Sequence, residues 1–182
     1  MKEHTAYRPI LSAVIMFLAA LPLWGQSSVP FGQQIALLKM LKPDLVTVGV
    51  LTNSLNEEKK QQLIRSSLQQ GVNVFVAVPN DVRDIPVLYK KLIGEKKVQL
   101  IIIPNVEDRI LLGIGYEYLK ENSLLDRIGV CVPDVKFIAN GAFFAVIKED
   151  GKLIVTVNQR IAALVGATIP VQQNPSISFV AR

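Results

Sequence analysis

The chain of 182 residues is half hydrophobic and 19% charged, with a formal net charge of +5, one cysteine and one histidine. One cysteine rules out an internal disulfide. The small basic excess is spread along the chain without a dense tract, which argues for a solvated surface and against a nucleic-acid footprint.

The first element is the run Ile10–Trp24, which carries no charge and is preceded by Lys2 and Arg8. Pro22 breaks its helix and Gly25 offers a small residue to a peptidase, so residues 1–25 read as a cleaved signal peptide. Ser27 is the second candidate position for the cut, and no cysteine stands nearby to take a lipid. The competing reading is an uncleaved N-terminal anchor, but about 15 apolar residues fall short of the roughly 20 that a spanning helix needs. Cleavage would remove His4 and Trp24, and the loss of Lys2, Arg8 and Glu3 would lower the 20 basic and 15 acidic residues to 18 and 14. The expected product is a periplasmic or secreted protein. Its remaining residues suffice for one domain with a real core, over 26–172, followed by a surface tail over 173–182.

Within that domain, strand and helix alternate. Residues 33–41 predict a short amphipathic helix stopped near Pro43, and Val46–Leu51 predict a strand buried on both faces. Ser54 and Glu57 form a candidate capping box for a helix to Gln70, with Gly71 as its stop. Val72–Val78 is the second strand, Ile85–Ile93 a helix ended by Gly94, and Val98–Ile103 the third strand. A helix over Glu107–Glu121 and a strand at Ile128–Val132 follow. The segments 142–148 and 152–158 flank Glu149-Asp150-Gly151, a hairpin signal, and Asn158 can cap a short helix ending at Gly166. The pattern implies a doubly wound, mainly parallel α/β sheet in a three-layer sandwich, with a C-terminal β-hairpin and short helix.

The four leading strands end alike. Three close on proline and a polar residue (Pro79-Asn80, Pro104-Asn105, Pro133-Asp134), and the first closes on Thr52-Asn53-Ser54. In a doubly wound sheet these ends share the edge where ligands bind. The candidate ligand-binding residues are therefore Asn53, Ser54, Asn80, Asp81, Asn105 and Asp134. The same residue types also serve as ordinary caps and turn formers.

Catalysis has little to work with. Without His4 there is no Ser-His-Asp or Cys-His arrangement and no histidine-bound zinc. Cys131 lies between Val130 and Val132 and reads as an inert core residue. The acid pairs Glu57-Glu58, Asp81 with Asp84, Glu107-Asp108 and Glu149-Asp150 each fall at a helix start or turn, where the helix dipole or turn chemistry accounts for them. Gly113 and Gly115 lie inside an expected helix, where close packing explains them better than phosphate binding. No catalytic residue, metal or cofactor is expected.

Two segments carry a family resemblance. Lys152–Asn158 followed by Ala162-Ala163-Leu164-Val165-Gly166-Ala167-Thr168-Ile169-Pro170 resembles the C-terminus of ABC-transporter substrate-binding proteins of the type I periplasmic-binding-protein fold. Ile35–Leu41 leading to Val48–Asn53 is similar to the start of that family's C-terminal lobe. The resemblance covers about residues 31–172 and implies one lobe of a two-lobed clamp. It implies a solute-binding component of a transport system, with a small solute, a membrane permease or envelope protein, or a second copy as partner. The other expectation is an envelope accessory protein that keeps the lobe but binds a protein partner or itself.

Overall fold

The computed structural model describes residues 29–170 and 175–182, so the expected signal peptide lies outside the described residues. Seven strands form one sheet. They are β1 (Thr47–Leu51), β2 (Asn73–Ala77), β3 (Leu100–Ile102), β4 (Gly129–Val132), β5 (Phe144–Glu149), β6 (Lys152–Val157) and β7 (Ile177–Ala181). Their order is β2-β1-β3-β4-β5-β6-β7, and every neighbouring pair is parallel except the β5–β6 hairpin.

Strand alternation divides the core into two layers. Val48 and Val50, Leu100 and Ile102, and Cys131 face one side, where helices α1 (Phe31–Leu41), α2 (Glu57–Leu68) and α6 (Gln159–Val165) contribute Leu38, Leu63 and Ile161. Leu51, Ile101, Ile103, Val130 and Val132 face the other side, against Tyr89 and Leu92 of α3 (Ile85–Gly94). Leu111 of α4 (Arg109–Leu112) and Tyr116 and Leu119 of α5 (Ile114–Leu125) complete that layer. Apolar side chains on both faces explain why these strands read as continuous hydrophobic runs. This is the expected three-layer sandwich. The hairpin turns at Asp150 and Gly151, both with positive φ (47° and 77°), as an Asp-Gly turn requires. Asn158 caps α6 by accepting from Ile161 N–H, and Gly166 closes it in the left-handed region.

Three local expectations differ from the structure. The cap of α2 is Asn56, whose side chain accepts from Lys59 N–H, because the Ser54 hydroxyl is engaged elsewhere. The single helix expected over Glu107–Glu121 is two helices, α4 and α5, broken where Gly113 leaves helical geometry at ψ −122°. Gly115 behaves as a close-packing glycine: a Cβ there would strike Ile85 and lie 2.6 Å from the Ile110 carbonyl. In the C-terminal stretch, Ile177–Ala181 pairs along β6 as an edge strand, with Ile177 and Phe179 leaning on the core. A five-residue strand beside Pro and Gln is too short to stand out by periodicity.

Candidate functional site

The sheet reverses direction of winding between β1 and β3, since β2 lies on one side of β1 and β3 on the other. Crevices form at such points, beyond the C-terminal strand ends. A cleft of about 390 Å³ occupies this edge. Its walls come from Ser54, Leu55 and Lys59 after β1, Pro104–Glu107 after β3, Val132 and Pro133 at the end of β4, and Val146–Lys148 on β5. Val29 and Gln34 close one side, and Gln34 Nε2 donates to the Val29 carbonyl at 2.8 Å. The lining mixes apolar side chains, among them Val29, Leu55, Val132 and Ile147, with about as much polar surface from Gln34, Ser54, Asn105 and the charged groups. Of the charged groups, Lys59, Glu107 and Lys148 stand at the exposed rim.

Of the six residues expected from the sequence, the structure brings two together in the cleft. Asn105 Nδ2 donates to Ser54 Oγ at 2.6 Å, tying the loops after β1 and β3. Asn53 and Asn80 are exposed on the same edge and do not line the cleft. Asp81 accepts from Arg83 N–H and pairs with the Arg83 guanidinium, capping the 3-10 turn Val82–Asp84. The side-chain hydrogen bond from Arg83 holds its carboxyl below the ordinary range. Asp134 caps the second 3-10 turn, Val135–Phe137, accepting from Lys136 N–H at 2.9 Å while Lys136 Nζ lies 2.8 Å from its other oxygen. Burial pushes the Asp134 carboxyl up, but the hydrogen bonds and charge of Lys136 outweigh burial and leave it lowered. Both aspartates are occupied as local caps.

The residue that sequence reasoning missed is Asp108. It stands at the N-cap position of α4, yet its side chain makes no cap bond to that helix. It is fully buried, and its Oδ1 accepts from Thr52 Oγ1 at 3.2 Å and from Asn53 N–H at 3.0 Å. Its Oδ2 is the one buried side-chain oxygen or nitrogen without a partner among the described residues. The available signal was an acid only three positions after a strand-ending Pro-Asn. Lys59, Glu107 and Lys148 gave none, since solvated helices and strands carry such charges everywhere. Cys131 is 1% exposed in the core, and burial pushes its thiol far above the usual range, which removes it as a nucleophile in the folded state. No helix among the described residues is long and apolar enough to cross a membrane.

No protein-family model matches the chain, and no curated protein is detectably similar in sequence. Solved structures are similar. An ABC domain from Streptococcus pneumonia in complex with L-Trp superposes with a TM-score of 0.63 at 17% identity, covering 78% of this chain and 58% of that one. A conserved domain protein from Vibrio cholerae gives 0.63 at 16%, covering 78% and 56%. The ligand-free, open form of a substrate-binding protein with adhesive properties from Clostridium difficile gives 0.63 at 17%, covering 84% and 60%. The chain thus spans 56% to 60% of the length of these structures. At such identities the likeness establishes the fold alone, one that the substrate-binding protein from Clostridium difficile also has.

Proposed function

We propose that this chain is an exported solute-binding component of an ABC-type transport system, taking a small molecule at the C-terminal edge of its sheet. The observation that carries the reading is the cleft at the C-terminal strand ends, where the joined Ser54–Asn105 pair forms part of a wall of mixed polar and apolar side chains. The neighbour that holds L-Trp supports a binding role for the fold. The cleft is open at the rim formed by Lys59, Glu107 and Lys148. On this reading a second polypeptide, the permease or another copy, covers the outer side of the solute. Asn53, Asn80, Asp81 and Asp134 lie on the same edge outside the cleft and would belong to that outer contact.

The test is a thermal-shift screen of amino acids, small sugars and nucleosides. A solute at a hundredfold excess over its Kd stabilises by about 2.7 kcal/mol, which for a domain of this size is roughly 5–10 °C. At least one class should raise the melting temperature in a saturable way. A flat response across the panel would count against solute binding. Export is checked on protein from the envelope fraction, which should begin near Gln26 and, without Trp24, show tyrosine fluorescence only. An intact Met1 in the membrane fraction would establish the anchor instead.

A further inference from the structure

A chain of polar contacts runs from the cleft into the buried layer below it, and the count of donor protons gives it a direction. Asp108 Oδ1 only accepts, whether the carboxyl is charged or neutral at its other oxygen. The single hydroxyl proton of Thr52 goes to that atom at 3.2 Å. Where the 3.2 Å contact between Thr52 Oγ1 and Ser54 Oγ is a hydrogen bond, Thr52 therefore accepts and Ser54 donates. Ser54 N–H also donates to Thr52 Oγ1, at 3.3 Å. With its own proton spent, Ser54 can only accept from Asn105, so the Asn105 amide turns its NH2 inward at 2.6 Å. Asn105 Oδ1 is left without a protein partner among the described residues, in a side chain that lines the cleft.

We infer that Asp108 is a positioning residue that polarises the chain Asn105→Ser54→Thr52→Asp108, holds the Asn105 carbonyl oxygen available as an acceptor, and so makes the cleft select a solute bearing a hydrogen-bond donor. The selectivity part rests on the solute-binding reading above, whereas the polarity of the chain does not. Neither Thr52 nor Asp108 lines the cleft, and both are fully buried. Their effect reaches a solute only through Ser54 and Asn105. Asp108 Oδ1 is the buried acceptor on which the chain ends, while Oδ2 has no partner among the described residues.

The polarity is tested on the full-length, 15N-labelled protein without any solute, by following the side-chain amide of Asn105. The amide of Asn122, which donates to the Tyr118 carbonyl on α5, serves as internal reference. Thr52→Val keeps the side-chain shape but removes the hydroxyl, and should speed solvent exchange of the Asn105 NH2 about tenfold, the equivalent of one net hydrogen bond, with Asn122 unmoved. Asp108→Asn should preserve the wild-type Asn105 signal, because Asn53 N–H donates to the same position and keeps a carbonyl there. An Asn105 signal unchanged by Thr52→Val, or disturbed as much by Asp108→Asn, would overturn the polarised chain. The donor preference is tested by titrating phenol against anisole, which differ in one donor. Phenol should shift the Asn105 amide several times further, and equal shifts, or none from either, would overturn the preference. A failed solute screen would remove the binding reading, while the spectrum without solute still decides the chain.

Discussion

Ser54 and Asn105, 51 positions apart in sequence, are joined by a 2.6 Å hydrogen bond that ties the loops after β1 and β3 together in the wall of the cleft. Asn105 makes no cap and supports no helix, so its contribution lies in the cleft. Asn105→Ala should weaken the solute found by screening about tenfold or more, the loss of roughly 1–3 kcal/mol. Its melting temperature should stay within about 2 °C of wild type. Isothermal titration beside a melting curve decides this. Unchanged affinity with a lowered melting point would assign Asn105 to the scaffold.

Asp134 should behave in the opposite way. Its side chain is spent on Lys136, so Asp134→Ala should leave solute affinity alone and cost about 1 kcal/mol of stability, as loss of a cap does. The sign with pH follows from the lowered carboxyl. A group whose folded value is depressed contributes above its unfolded value, about 3.9, and loses that contribution as pH falls through the folded one. Urea unfolding should therefore separate variant from wild type at pH 7, with the gap narrowing as pH falls below the unfolded value and through the lowered folded one. A gap that persisted in acid would mean the stability came from something other than the ionised cap.

Gly115 sits at the joint between α4 and α5 with no room for a methyl group. Gly115→Ala would press on Ile85 and on the Ile110 carbonyl, 2.6 Å away. Overpacking of this kind costs typically 1–3 kcal/mol, about the middle of that range here because one neighbour is backbone. Because Ala favours helix over Gly by about 1 kcal/mol, a stabilised variant would show that the joint relaxes freely.

Cys131 should be silent. At 1% exposure, with its thiol pushed far above the usual range, it should react with a thiol reagent only as fast as the domain opens. Adding denaturant should bring full labelling. Rapid stoichiometric labelling of the native protein would restore a reactive thiol to the account. Cys131→Ser should leave solute binding intact while placing a hydroxyl in an apolar layer.

The layer architecture was legible because burial on two faces writes itself into β1, β3 and β4 as uninterrupted apolar residues, and capping chemistry marks Asn158 and Gly166 locally. The break at Gly113 was not, since helical periodicity continues across it. Neither was the β7 edge strand, whose partner β6 lies on the far side of a helix. Of the site, sequence by itself determined that the strand ends would carry polar residues on one edge. It could not distinguish Ser54 and Asn105, which bond to each other in the wall of the cleft, from Asp81 and Asp134, which fold back on Arg83 and Lys136. Only the tertiary structure decided that, because a cap is a contact two residues away whereas the cleft joins loops more than 50 residues apart. Asp108 shows the same division. Its position just before a helix suggests a dipole partner, and only the packing of β1 beside β3 turns its carboxyl group toward Thr52 and Asn53.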